Sequence, residues 1–187
     1  MTDWPVDLRG VTESLVATLG PNDRWNLAPL GLHAGDPVTA RTWGNTRTRR
    51  NFHRRGEGYV QFTRDPVVFV EAALAIVERD DPVLATSDAW AEVRVEQVRT
   101  GETDGTRWEA WTLTPVESGV ARTVAPTTNR GYYAVIEATV AASRLGVPGY
   151  DSAVLRARLD HLDDVARTCG GEREHRAFDR LNDLVER

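Results

Sequence analysis

Short runs of strand-forming residues recur about every ten residues in the first half of the chain, and this spacing constrains the fold more than any other feature. The runs cover residues 11–19, 25–32 and 37–43, and turn-forming residues separate them, beginning with Gly20-Pro21-Asn22-Asp23. Strands this short, with turns between them, are typical of an antiparallel meander. Three later strands are predicted, at residues 59–63, 93–98 and 108–116, the last two joined by a polar turn at 100–105.

Helices are predicted between and after these strands. One covers residues 46–55 and ends at Gly56, and a second, over 67–77, begins behind Asp65-Pro66, an N-cap followed by proline. The last third is helical: 129–145, a helix that Ser152 caps, and 172–185 after a break at 169–171. The chain is therefore predicted to be an α+β barrel or sandwich, with residues 1–150 forming this β-rich domain with its following helix and 151–187 forming a helical hairpin.

Composition places the chain among ordinary globular proteins. Of its 187 residues, 41% are hydrophobic and 27% charged, close to the usual averages. No apolar run is long enough to cross a membrane, and the single cysteine excludes an internal disulfide. We expect a cytoplasmic protein without membrane partners.

An arginine-rich segment stands out in a chain whose net charge is −5 and whose 23 basic residues are all arginine. Residues 45–55 contain five of them, in and around the predicted helix. Cations near a helix N-terminus oppose its dipole, whereas an anion there is favoured. Thr46, Arg47 and Thr48 therefore indicate a phosphate site. Two alternatives stay open: a solvated basic face paired with acids such as Glu57 or Asp65, and a nucleic-acid surface, which the negative net charge makes less favoured.

The strand that contains Asn26, Leu27, Ala28 and Pro29 is the second candidate site. Proline cannot donate a ladder hydrogen bond, so Pro29 predicts a sheet edge or a bulge. Unpaired backbone groups there could recognise a flat heterocycle, although an ordinary edge strand fits equally well. Other chemistries lack a motif: the four histidines and one cysteine fit no metal template, and neither a Gly-x-Gly-x-x-Gly nor a Walker sequence occurs. We expect no metal.

The order of these segments resembles the FMN-binding split-barrel superfamily. An Asn-x-Ala-Pro strand precedes Asn-Thr-Arg-Thr-x-x-Asn and then Gly-Tyr-Val-Gln-Phe-Thr-x-Asp-Pro. More narrowly, the stretch Asn-Arg-Gly-Tyr-Tyr-Ala-Val-Ile-Glu-Ala at 129–138, followed by Ser-Arg-Leu at 143–145, is similar to the DUF447 family of flavin-binding proteins. The likeness covers nearly the whole chain.

This resemblance implies a six-stranded split barrel that forms a homodimer with one FMN near each end of the subunit interface. It places residues 26–29 along the isoalloxazine ring, and Gln61 and Phe62 beside the ring or the ribityl chain. The remaining implied contacts are with the phosphate: Thr46, Arg47 and Thr48, with Asn51 nearby, and Asn129 and Arg130 from the same or the partner subunit.

Three functions follow from the sequence. The first is a flavin-dependent oxidoreductase, for example a flavin reductase that takes electrons from NAD(P)H. The second is an FMN carrier or sensor without turnover, which the sequence does not distinguish from the first. The third and least favoured is nucleic-acid binding through the arginine-rich helix, with Phe52 as a stacking residue.

Overall fold

Seven strands and five helices follow one another within residues 3–185, the part of the chain that this computed structural model describes. The strands are β1 (Val11–Leu19), β2 (Trp25–His33), β3 (Val38–Trp43), β4 (Glu57–Phe62), β5 (Val77–Arg79), β6 (Ala89–Thr103) and β7 (Thr106–Val120). The helices are α1 (Arg47–Arg55), α2 (Pro66–Leu74), α3 (Arg130–Ala142), α4 (Ser152–Cys169) and α5 (Glu172–Val185). They form two compact units: a barrel unit, residues up to 64 and 77–123, and a helical unit, 65–76 and from 124 onward.

The barrel unit is a closed antiparallel barrel. Its strands run in the order β1-β4-β6-β7-β3-β2, and pairing of β1 with β2 closes the ring. The core contains buried aliphatic side chains from all six of these strands, among them Val16, Leu32 and Val93. Closure leaves the barrel strands without a free edge along most of their length. The predicted α+β split-barrel fold is confirmed.

One strand of the barrel nevertheless keeps an open stretch of edge. On the side away from β1, β2 pairs with β5 up to Leu27 and with β3 from Leu32. Between them, residues 28–31 have ladder partners only in β1 among the described strands. The sheet edge predicted at Pro29 is confirmed, because a residue without an N–H fits where no second strand pairs.

Helix α1 begins and ends as its sequence predicts. The Thr46 hydroxyl accepts a hydrogen bond from the backbone N–H of Arg49, and Gly56 closes the helix in the left-handed conformation, with φ of 68°. Thr48 and Phe52, one turn apart, are both buried. The helix is therefore anchored by one face, and its charged residues occupy the others.

The β6–β7 hairpin is much longer than predicted. Its ladder runs from Ala89, opposite Val120, to Thr103, opposite Thr106, with register shifts after Glu92 and after Gln97, and only two residues form the turn. The strands predicted at 93–98 and 108–116 lie within β6 and β7, but their bounds were too short; towards the turn, the residues beyond these bounds are largely exposed and have no apolar alternation to reveal a strand.

The helical unit packs α2 against α5 and α3 against α4 around a core rich in alanine and leucine. Asp151, rather than the predicted Ser152, caps α4. Helix α2 ends at Leu74, three residues earlier than predicted, and β5 follows it. Within residues 3–185, no helix is both long and apolar enough to cross a bilayer.

The structure groups the helices differently from the predicted division after residue 150. The sequence analysis joins α3 to the barrel, whereas in the structure α3 buries Val135 and Ala138 in the same core as α4 and α5. Gly131 of α3 lies so close to Gly170 that a side chain there would meet backbone atoms 2.3 Å away. The division of the chain after residue 150 stays a prediction.

Candidate functional site

A cavity of about 380 Å³ opens in the barrel unit beside α1. This volume is within the range of about 300–1,000 Å³ that is typical of small-molecule sites. The β1–β2 turn, β2, α1 and β5 contribute its walls. The lining residues are Gly20, Pro21, Asn22, Asn26, Arg47, Arg50, Asn51, Arg54 and Glu78.

Three arginines give this cavity its positive charge. Arg47, Arg50 and Arg54 are spaced by three and four residues on α1, so they occupy one face of the helix. Arg50 donates hydrogen bonds to the backbone and side-chain oxygens of Asn45, and Arg54 donates to Oδ1 of Asn51 at 2.9 Å. Neither arginine has a carboxylate partner among residues 3–185.

The one carboxylate among the described lining residues belongs to Glu78. Arg47 donates to Glu78 Oε1 at 2.5 Å, and the amide of Asn22 donates to the other carboxylate oxygen at 3.2 Å. Both side chains of the ion pair are partly exposed, Arg47 to 41% and Glu78 to 30%. The cavity therefore holds three cations and one anion, and Glu78 neutralises Arg47.

Two asparagines supply neutral polar groups. Asn51 is buried and donates to both the backbone oxygen and the hydroxyl of Thr18 in β1. Asn26 lines the cavity with only 6% of its surface exposed, and its side chain makes no hydrogen bond to any described residue. No fully buried side-chain nitrogen or oxygen of the described residues lacks a hydrogen-bond partner, so the polar atoms of this amide are open to the cavity, where water or a ligand can bind them.

The opposite flank of α1 is held by a buried carboxylate. Glu109 of β7, 5% exposed, lies 2.7 Å from Arg49 Nε and 2.6 Å from His53 Nε2. The His53 ring also packs edge-on against Trp111 at 4.9 Å. Burial raises the pKa of Glu109, but the hydrogen bonds and charges of Arg49 and His53 outweigh it and hold that pKa below its usual value.

The structure brings together three of the predicted phosphate and ring residues, namely Asn26, Arg47 and Asn51, in the cavity lining. Thr46 caps α1, and Thr48 is turned inward and buried. The alternative of a basic face paired with acids is met in part, because Arg47, Arg49 and Arg55 contact carboxylates, which belong to Glu78, Glu109 and Asp23.

The other predicted site residues have different surroundings. Leu27, Ala28 and Pro29 follow Asn26 on β2. Leu27 is the last residue of β2 that pairs with β5, and Ala28 and Pro29 belong to the open stretch of edge. Gln61 is fully buried, with its amide bonded to Pro82, Leu84 and Ser87, and Phe62 packs on the barrel core. Asn129 caps α3 and Arg130 is the first residue of that helix. The flavin contacts of all these residues stay predictions.

Sequence reasoning missed six lining residues: Gly20, Pro21, Asn22, Arg50, Arg54 and Glu78. A helical projection of residues 47–55 would have found two, because Arg50 and Arg54 follow Arg47 at helical spacing. Glu78 gave no such signal, since the pairing of β5 with β2 that brings it opposite Asn26 is not local.

Two family models match the chain. One, described as the N-terminal domain of a protein of unknown function (DUF447), covers residues 12–122, and the other, described as a protein of unknown function (DUF447), covers 129–183. A crystal structure of an FMN-bound DUF447 protein from Methanosarcina mazei has a TM-score of 0.81 with this chain at 24% identity, over 95% of this chain and 96% of that one.

More distant solved structures match at low similarity. The styrene monooxygenase flavin reductase of Pseudomonas putida S12 has a TM-score of 0.43 at 15% identity, over 60% of this chain and 82% of that one. Flavoredoxin from Methanosarcina acetivorans has a TM-score of 0.42 at 13% identity, over 67% and 79%.

The closed barrel, the open stretch of β2 and the arginine-lined cavity beside α1 define a split-barrel protein with a positively charged cavity. Its two family models together match most of the chain, one in each half. The chain belongs to the DUF447 family.

Proposed function

We propose that this protein binds FMN, with the phosphate in the arginine-lined cavity and the isoalloxazine ring along the open edge of β2. One observation carries the proposal: Arg50 and Arg54 share the cavity with Asn26, and neither arginine has a carboxylate partner within residues 3–185. Guanidinium groups bind phosphate oxygens strongly through paired N–H donors.

The residues present fit such a ligand. Arg50 and Arg54 would hold the phosphate dianion, and the Asn26 amide would satisfy a polar group deeper in the cavity. Backbone groups of residues 28–31 would bind the polar edge of the ring, where they have no second strand. Bound FMN supplies hydride or electron transfer, and the protein supplies its position and electrostatic surroundings. The FMN of the Methanosarcina mazei relative supports FMN as the ligand.

Two further assignments belong to the proposal. We infer a homodimer, in which Asn129 and Arg130 of the same or the partner subunit close the phosphate site. Cytoplasmic localisation also stays a prediction. Size-exclusion chromatography with light scattering tests the oligomeric state, and a monomer at micromolar concentration would contradict the dimer.

Flavin binding is tested by comparing FMN with riboflavin, which lacks the phosphate. Titration of flavin fluorescence with apoprotein should give a much lower Kd for FMN than for riboflavin. Equal constants would contradict the phosphate assignment, and binding of neither would contradict the function. A nucleic-acid interface has less support, because Glu109 already engages two basic groups of α1.

Activity decides between oxidoreductase and carrier. We propose a flavin-dependent oxidoreductase first, with NAD(P)H as electron donor, and a non-catalytic FMN carrier or sensor as the alternative. Steady-state NAD(P)H oxidation by the FMN-loaded protein, compared with free FMN at equal concentration, distinguishes them. A rate no higher than that of free FMN would favour the carrier.

A further inference from the structure

We propose that Glu78 is a built-in competitor of the phosphate, which limits the affinity of the cavity and keeps its flavin exchangeable. The inference rests on the proposed function, since it concerns the same cavity. Its basis is that a carboxylate lies among the arginines of an anion site and is already bound to one of them.

Glu78 is held in place from three directions. Its backbone pairs with Asn26 in the β2–β5 ladder, and its carbonyl accepts a hydrogen bond from Arg24 at 3.3 Å. Its carboxylate accepts from Arg47 and from Asn22. A side chain fixed in this way does not swing out of the cavity freely, so an incoming phosphate meets a fixed negative charge.

This arrangement affects binding in two ways. The carboxylate repels a phosphate dianion in the same cavity, and it occupies the guanidinium that would otherwise add a third cation. Because both side chains are partly exposed, solvent screens these effects, and we expect the competitor to weaken phosphate binding about three- to tenfold. Differences in affinity between closely related complexes arise mainly from the dissociation rate, so the competitor should mainly speed the release of FMN.

The pair gives the arginines of the cavity unequal roles. Arg50 and Arg54 are available to phosphate in the resting protein, whereas Arg47 becomes available only when Glu78 gives it up. Removing Arg47 alone should therefore cost little, and removing it after Glu78 has been neutralised should cost more. This non-additivity is the signature of competition for a shared partner.

The experiment measures Kd for FMN and for riboflavin with wild type, Glu78→Gln, Arg47→Gln and the double variant. Glu78→Gln should tighten FMN about three- to tenfold and slow its release, with riboflavin unchanged. Arg47→Gln should weaken FMN more in the Glu78→Gln background than in wild type. Asp80→Asn is the matched control, because Asp80 forms an exposed ion pair with Arg24 outside the cavity lining.

Two results would overturn the inference. If Glu78→Gln weakens FMN and riboflavin alike, the carboxylate binds the ligand or supports the strand; if it leaves FMN affinity unchanged, it does not compete. Stabilisation by inorganic phosphate, measured as the rise in Tm, separates this inference from the proposed function. A larger rise in Glu78→Gln supports competition even if FMN fails to bind, and an equal rise overturns it.

Discussion

The two charged flanks of α1 use the same residue type for opposite purposes. On one flank, Arg49 and His53 contact Glu109, a carboxylate that β7 holds almost fully buried. On the other, Arg50 and Arg54 face a cavity and contact only the uncharged oxygens of asparagines. An arginine with a buried carboxylate partner fixes the helix in place, whereas one without such a partner is available for an external anion. The composition of the segment does not distinguish them; their partners do.

The largest effect on FMN affinity should come from the cavity flank of α1, which carries Arg50 and Arg54. Replacing Arg50 and Arg54 together with glutamine should weaken FMN binding on the order of 100-fold, because hydrogen bonds to charged groups contribute about 1.5–3 kcal/mol each. Riboflavin affinity should change little. Arg55→Gln is the control: Arg55 belongs to the same helix but lies 3.9 Å from Asp23 and outside the cavity lining. Fluorescence titration measures the Kd of FMN and of riboflavin for wild type and for both variants. A parallel loss for both flavins would place the phosphate elsewhere.

A substitution on the anchoring flank of α1, where Arg49 and His53 contact Glu109, should change the stability of the fold and leave the preference for FMN over riboflavin unchanged. Glu109→Ala leaves Arg49 and His53 without their buried partner and should lower the free energy of unfolding by about 2–3 kcal/mol, less than for a fully buried pair because Arg49 is partly exposed. The ratio of the FMN and riboflavin constants should be unchanged in the folded protein. Urea unfolding checks the first expectation, with Glu117→Ala, exposed on the same strand, as the reference. A selective loss of FMN would show that the two flanks are not separable.

The sequence predicts the local elements of this protein better than its long-range pairings. The short antiparallel strands, the limits of α1 and the open edge at Pro29 follow from turn residues, a threonine cap, a glycine and a missing N–H, which act within a few positions of the chain. Closure of the strands into a barrel was implied only by the family resemblance. For the same reason, only part of the cavity lining could be predicted from the sequence. Asn26, Arg47 and Asn51 belong to local motifs, but Glu78 and Glu109 reach α1 through strands that are distant in the sequence, and no local pattern announces them.

Acidity offers the smallest and most selective test of the anchoring flank. The folded protein holds the pKa of Glu109 below its usual value, so the group stabilises the fold fully above its unfolded pKa near 4.5 and loses this contribution as the pH falls through the folded value. The difference in unfolding free energy between wild type and Glu109→Gln should therefore narrow between pH 6 and the acid range, about pH 3.

The same experiment has an internal reference. The pKa of Asp88 is also lowered, by hydrogen bonds from Arg64 and Arg122 that outweigh its burial, and its acid-dependent contribution is present in both proteins and cancels in their difference. Urea titrations at matched ionic strength give that difference at each pH. If the difference in unfolding free energy between wild type and Glu109→Gln stays constant, or grows as the pH falls, Glu109 is not the charged anchor of α1. The contrast between the two flanks would then rest on the cavity arginines alone.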